Sequence, residues 1–497
     1  MYIKLSFLLC VLCSLPLAAQ QRDSRVREYL PPVRVVWQQD SARITGAHHL
    51  LLPGNGQTDQ TNNAMCVMRA EGSSRPALLL DFGCELQGGL QLVTGMPTSQ
   101  QPVRVRIRLG ESVSEAMCEI DGQNGATNDH AMRDFTISLP WLGVTEVGNS
   151  GFRFVRIDLL DATELQLKEL RAVSTFRDIP YKGTFRCSDE RLNAIWQTGA
   201  RTVHLNMQEY LWDGIKRDRL VWVGDMFPEV MTINSVFGYN EVVPRSLDFI
   251  RDATPLPGWM HGFSSYSIWW LLIHREWYNY QGDLVYLKEQ QAYVSGLLRL
   301  LIGKVDAKGY EKLDGVRFLD WPSNGNPVAV DAGLQALLIQ ALRAGDELCT
   351  VLGDDALAKE CRKTAARAVK AADKATRSVL NLSANPTAPG SKQAAALMVL
   401  SGLIAPKVAN EKILSVGGGH GFSTFYGYYM LRAMATAGNY QGALDVIRTY
   451  WGAMLDLGAT SFWEDFDLDW LPNAAPIDEL VPVGKVDVHG AYGAYCY

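Results

Sequence analysis

The sequence lacks the marks of several protein classes. It has no long run of like charge and a formal net charge of only -6, so neither nucleic acid nor an anionic membrane is an expected partner. Beyond the first twenty residues no stretch reaches the roughly 18 consecutive apolar residues that a membrane-spanning helix needs, so no membrane span is expected. Cys66, Cys84, Cys118, Cys187, Cys349, Cys361 and Cys496 are odd in number and scattered, without CxxC or histidine-paired spacing. They read as mostly buried thiols, and no metal site or cofactor is expected. Gly417-Gly418-Gly419-His420-Gly421 has no Lys-Ser after it and no strand before it. It is therefore a helix-to-helix turn and not a phosphate loop.

What is present is material for a large core, with 47% apolar and 10% aromatic residues in a chain of 497. Two domains are the default at this length. Thirteen Trp is a high count. Flat rings with a polar edge suit the alternating CH and OH faces of neutral sugars, although most single Trp residues serve core packing.

Residues 1–20 carry Lys4, the apolar run Leu5 to Leu17, and Leu17-Ala18-Ala19 as a small-residue cleavage pattern. This is an export signal, and the expected location is the periplasm. Cys10 and Cys13 lie inside the run without small residues directly before them, so a lipid anchor is not expected. They leave with the signal.

Residues 21–180 read as an antiparallel β-sandwich. In Val103-Arg104-Val105-Arg106-Ile107-Arg108-Leu109 the apolar residues face one side and the arginines the other, as in a half-buried strand. Ala77 to Phe82, Leu90 to Thr94 and Phe152 to Leu160 read as further strands, separated by Gly, Pro and Asn clusters. From residue 181 to residue 497 the period is helical, as in Ala329 to Leu352 and Asp354 to Val379. Gly282-Asp283, Gly353-Asp354 and Gly438-Asn439 each end one helix and cap the next. Repeated helical hairpins suggest an (α/α)6 barrel, in which paired helices form two rings around a cleft. An open α-solenoid is the alternative.

Leu211 to Asp225 hold Asp213, Asp218 and Asp225 with Lys216, Arg217, Arg219, Trp212 and Trp222. A solvated helix would space its acids and bases at i,i+4. Here the acids fall at intervals of five and seven, interrupted by Gly214 and Gly224, which reads as a loop entering a helix at Asp225. Such a loop aims several carboxylates at one cavity. Far downstream, Phe462-Trp463-Glu464-Asp465 sets acids between aromatic rings, where partial desolvation raises a carboxyl pKa. Hydrolysis of an acetal needs one group to protonate the leaving oxygen and another to handle the attacking side. Glu464 is the candidate base. Asp320-Trp321 places an acid beside an indole, suited to sugar hydroxyls and ring stacking or, equally, to a turn at a helix start. Trp269, Trp270 and His274 fit either a sugar platform or core, and His489 is a weaker candidate.

With these residues in view, Asp213 to Asp225 together with Phe462-Trp463-Glu464 resemble the inverting α-L-rhamnosidases of glycoside hydrolase family 78. Leu80-Asp81-Phe82-Gly83, Gly88-Gly89 and Gly151 to Arg156 resemble the family's β signatures, and Phe185 to Asp189 its approach to the barrel. The resemblance implies release of terminal L-rhamnose from rhamnose-containing glycans, with Asp218 as general acid and Glu464 as general base. It further implies sugar-contacting or supporting roles for Asp213, Arg217, Trp222, Asp225, Asp320, Trp321 and Trp463, and no cofactor.

Two departures stand out. The family acid is most often Glu, so the Asp218 carboxyl lies one methylene closer to the backbone. Family members usually continue with a strand-rich segment whose His reaches the sugar, whereas this sequence stops at Tyr497. The barrel is then truncated, or His489 substitutes, or activity is reduced. Action on another sugar, or glycan binding without catalysis, are the alternative functions. The sequence gives no indication of oligomeric state.

Overall fold

The computed structural model describes residues 23–60, 64–120, 126–372, 383–492 and 495–497. The export segment lies outside the described residues, as does the end of the helix expected up to Val379. Among the described residues no helix is long and apolar enough to cross a membrane.

The first part is built from β1 (Arg25–Leu30), β2 (Arg34–Gln39), β3 (Ile44–Thr45), β4 (Cys66–Arg69), β5 (Ala77–Thr94), β6 (Val103–Gly110), β7 (Asp134–Leu139), β8 (Val144–Leu159) and β9 (Glu164–Arg177). All nine join one hydrogen-bonded antiparallel sheet, in the order β3-β4-β9-β5-β8-β6-β7, with β1 on β9 and β2 on β5. The two strands expected at Ala77 and Leu90 are one, β5, whose register slips between Asp81 and Leu86 and again at Gly88. Most of β5 is buried on both faces, because helix α1 (Val113–Met117) and the C-terminal segment cover what would otherwise be a wet side.

β6 departs from simple alternation. Val103, Val105, Ile107 and Leu109 are buried as expected, but so is Arg108. A buried guanidinium needs partners, and Asp158 and Glu119 supply them at 3.1 and 3.2 Å.

The second part is helical: α2 (Glu190–Asn206), α3 (Met226–Val236), α4 (Val242–Ala253), α5 (Ser264–Gln281), α6 (Leu284–Gly303), α7 (Pro327–Leu352), α8 (Asp355–Ala371), α9 (Ser391–Leu400), α10 (Thr424–Thr436) and α11 (Tyr440–Asp456). The three hairpin junctions are built from the same parts. Gly282, Gly353 and Gly438 take φ of 68, 79 and 81°, and Asp283, Asp354 and Asn439 then accept the Tyr286, Leu357 and Gly442 amides. Only glycine adopts that left-handed turn without strain.

α3 packs on α5, α5 on α7, α7 on α9 and α9 on α10, while α2 packs on α11 and α6 on α8 outside them. The helices α3, α5, α7, α9 and α10 thus form an inner layer around one large apolar core. Trp269, Trp270 and His274 belong to that core and not to a sugar platform. All three are buried, with the Trp270 indole donating to the Leu247 carbonyl and His274 Nδ1 2.8 Å from the Trp270 carbonyl. Burial pulls the His274 imidazole down to about 4.

Candidate active site

The inner helices begin at one end of their layer, and the polar residues gather there. Asp225 stands immediately before α3, Tyr266 in the first turn of α5, Asp320 one short turn before α7, Gln393 in the first turn of α9 and Ser423 before α10. Helix N-termini carry partial positive charge, so this end of the layer favours carboxylates.

Between α2 and α3 the chain runs as a loop. The Asp213 amide donates to the Leu220 carbonyl at 3.1 Å and its carboxylate accepts the Leu220 amide at 2.9 Å, which ties the loop into a closed turn. At the tip, Asp218 and Arg219 both take left-handed φ, 56 and 55°. That geometry is costly away from glycine and clusters at functional sites. It turns the Asp218 side chain back so that Oδ2 accepts the Trp222 indole N–H at 2.9 Å. Trp222 in turn lies 4.3 Å, centroid to centroid, from His261.

The second acid arrives from the far end of the chain. Trp463 bridges to Cys496, the Glu464 amide donates to the Tyr495 carbonyl at 2.8 Å, and the Tyr497 amide donates to the Phe462 carbonyl at 3.0 Å. Residues 495–497 therefore run alongside 462–464. Gly214 gives room for this segment, and Gly224 for the Tyr266 ring. A Cβ on Gly214 would lie 2.5 Å from the Cys496 carbonyl oxygen, and one on Gly224 would lie 2.3 Å from the Tyr266 ring.

Asp218 and Glu464 meet electrostatically. Burial pushes the Glu464 carboxyl above its ordinary range, the Arg217 charge opposes this, the Asp218 and Asp465 charges add to it, and a hydrogen bond from Trp321 pulls back. Asp213 is raised well above the usual range, first by burial and then by Asp225, Asp218 and Glu464, against the Leu220 amide. Asp225 is buried and pushed up to about 7; the Glu464 charge adds to the effect of burial and the bond from Tyr497 limits it. Asp213, Asp225 and Glu464 thus each respond to carboxyl charges of one cluster, to which Asp218 contributes.

Asp320 caps the turn that begins at Trp321, while its other oxygen accepts Ser423 and Gln393. It is 1% exposed, and burial pushes it to about 6 against those two bonds. Trp321 is 61% exposed, an indole presented to solvent beside Glu464. Arg217 is exposed, 5.9 Å from the Tyr495 ring centroid. Trp463 and His489 are buried, edge to face at 5.1 Å, and His489 also packs on Tyr495 at 5.6 Å. His489 therefore sits behind the Glu464 segment.

Sequence reasoning missed several partners. The Tyr497 hydroxyl donates to Asp225, as does Tyr266 at 3.4 Å. Glu229, one turn into α3, is buried, raised well above its usual range and accepts Asn206 at 3.0 Å. His130, from the β part, lies 3.2 Å from Asp218. None of these carries a local pattern that would have marked it. A cavity of about 240 Å³ beside the cluster is walled by Asp213, Asp225, Glu229 and Tyr497. A larger, apolar one of about 450 Å³ adjoins it between α2, α3, α10 and α11, away from Asp218 and Glu464. At the surface, His420, Asp467 and Asp469 bring possible ligand atoms within 4.8 Å of one another, with His420 paired to Asp469 at 3.0 Å.

Residues 180–478 match the bacterial α-L-rhamnosidase six-hairpin glycosidase domain. Among solved structures, a GH78 family rhamnosidase of Bacillus sp. GL1 aligns at TM-score 0.69 and 22% identity over 91% of this chain and 47% of its own. A rhamnosidase from Klebsiella oxytoca with rhamnose bound aligns at 0.68 and 19% over 95% and 97%. The Streptomyces avermitilis α-L-rhamnosidase complexed with L-rhamnose aligns at 0.61 and 18% over 84% and 41%. The chain thus spans about half the length of the Bacillus protein and nearly all of the Klebsiella one. Comparison with curated proteins gives no significant match. The domain match covers more than half of the chain, which therefore belongs to the bacterial α-L-rhamnosidase six-hairpin glycosidase family.

Proposed function

We propose that the protein hydrolyses terminal α-L-rhamnosides with inversion, Asp218 acting as general acid and Glu464 as general base. The observation that carries this is that the Asp218 charge reaches Glu464, 246 positions away in sequence, beside the Trp222 and Trp321 indoles that hydrogen-bond to the two acids. An oxocarbenium-like transition state needs a proton donor on the leaving oxygen and a base for water on the opposite face, about 6.5–9.5 Å away. Its raised pKa makes the Glu464 carboxylate a stronger base, while Arg217 and the Trp321 indole favour its ionised form. Rhamnose as the sugar follows from family membership and from the Klebsiella and Streptomyces relatives, whose structures hold it. Asp225, which lines the cavity, and the exposed face of Trp321 are suited to its hydroxyls and ring, Asp213 holds the loop, and Asp320 holds the turn that presents the Trp321 indole.

The arrangement of α3, α5, α7, α9 and α10 inside their partner helices supports reading the helical part as an (α/α)6 barrel, with the β part as a sandwich folded from one continuous sheet. Export to the periplasm, expected from residues 1–20, belongs to the same proposal.

A second reading, sugar binding without turnover, is favoured by one observation: both Asp218 oxygens already have partners, Trp222 and His130. The test is an aryl α-L-rhamnoside assayed with wild type, Asp218→Asn and Glu464→Gln. Loss of about 10²–10⁴-fold in kcat for each variant supports hydrolysis. Calorimetric binding of rhamnose by a wild type that releases no product supports the second reading.

A further inference from the structure

His130 belongs to the β part, between α1 and β7, yet its ring reaches across to the loop of the helical part. Its Nε2 lies 3.2 Å from Asp218 Oδ1, while Trp222 holds Oδ2 at 2.9 Å. The left-handed backbone at Asp218 and Arg219 keeps that carboxyl turned toward these two rings. The aspartate is short, so its oxygens stay near the loop. The imidazole extends that reach by the width of a ring. Both side chains remain open to solvent, His130 at 38% and Asp218 at 29%. The Asp218 charge in turn acts on Asp213 and Glu464, and Arg217 acts on Glu464.

Resting on the assignment of Asp218 as the acid, we propose that His130 is a further catalytic residue, the group that carries the proton from Asp218 to the leaving oxygen. In the neutral imidazole with hydrogen on Nδ1, Nε2 accepts the Asp218 carboxyl proton. Nδ1–H is donated to the glycosidic oxygen as the bond from the anomeric carbon breaks and its electron pair passes to that oxygen. The Asp218 proton moves to Nε2 in the same step. Water attacks the anomeric carbon and gives its proton to Glu464. Asp218 ends as carboxylate, Glu464 as carboxylic acid and His130 neutral, with no change in oxidation state.

Proton delivery matters only when the leaving group is basic, so the test compares two aryl α-L-rhamnosides. Dinitrophenolate leaves without protonation and methoxyphenolate does not. For His130→Ala, kcat/KM on the methoxyphenyl substrate is expected to fall about 10²-fold, the scale of general acid catalysis, with the dinitrophenyl substrate changed by less than about threefold. Asp218→Asn should discriminate in the same way. If Asp218→Asn discriminates and His130→Ala slows both substrates alike or neither, His130 is no proton carrier and the acid assignment stands. If Asp218→Asn fails to discriminate, the acid assignment itself falls and the relay with it. Circular dichroism of both variants identifies any loss of fold, and His130→Gln, of similar size, then repeats the comparison.

Discussion

Two clusters of carboxyls lie on either side of the same loop, and they differ in what surrounds them. On the β side, Glu85, Glu111 and Glu115 are 3, 2 and 1% exposed. Lys216 lies 2.8 Å and Arg133 lies 3.3 Å from the Glu115 carboxylate, and the Lys216 ammonium also sits 3.7 Å from the Tyr495 ring centroid. The Cys496 amide donates to Glu111 at 3.1 Å. Burial pushes Glu111 to about 8 and Glu85 well above its ordinary range. Burial acts on Glu115 in the same sense, but Lys216 and Arg133 hold it below that range. On the helical side, Asp218 and Glu464 are only half-buried, and the exposed Trp321 indole hydrogen-bonds to Glu464. Perturbed acidity is common to both clusters and so does not by itself identify a site. Access separates them: the first is a sealed joint fixing the loop and the C-terminal residues to the sheet, and the second is open to solvent.

That contrast can be broken in several places. The largest effect is expected at the open cluster, where Glu464→Gln should lower kcat/KM on an aryl rhamnoside by at least about 10³-fold with the thermal midpoint nearly unmoved. A large loss of midpoint there would mean that Glu464 is also a structural joint. Lys216→Met leaves Glu115 buried beside one fewer cation and should cost about 3–5 kcal/mol, read from urea unfolding. A variant as stable as wild type would remove the distinction. Tyr497→Phe takes a donor from Asp225, whose carboxyl then rises further above about 7. One lost hydrogen bond to a charged group, about 1.5–3 kcal/mol, should lower kcat/KM by about tenfold or more.

The smallest change is in pH dependence. Glu464 works ionised, so activity falls as pH drops through its raised pKa, and the acidic limb should lie above the ordinary glutamate value of 4.5. Trp321→Phe keeps a ring but removes the hydrogen bond that lowers this pKa, and the limb should move upward. No movement would place Trp321 outside the base's environment.

Much of this architecture is legible in the residues themselves, for stated reasons. Period two marks β6, Gly-Asp and Gly-Asn pairs mark three hairpins, and crowding of acids with indoles marks the two segments that meet. What is not legible depends on pairing between remote segments. Arg108 looks like a solvent-facing residue until Asp158 and Glu119 arrive beside it. Trp269, Trp270 and His274 resemble a platform until α5 is enclosed by its neighbours. Tyr497 and His130 lie in stretches without periodicity or motif, and only the packing of the C-terminal residues along Phe462 to Glu464, and of the sheet against the loop, gives them partners. The single nine-stranded sheet was hidden because β5 continues through what looked like a break between two strands.

The central claim is that water attacks from Glu464's side while the leaving oxygen takes a proton from Asp218's side. Proton NMR of the first sugar released from an α-L-rhamnoside, recorded before mutarotation, tests it directly. The account predicts the β-anomer of L-rhamnose first; the α-anomer appearing first would contradict it.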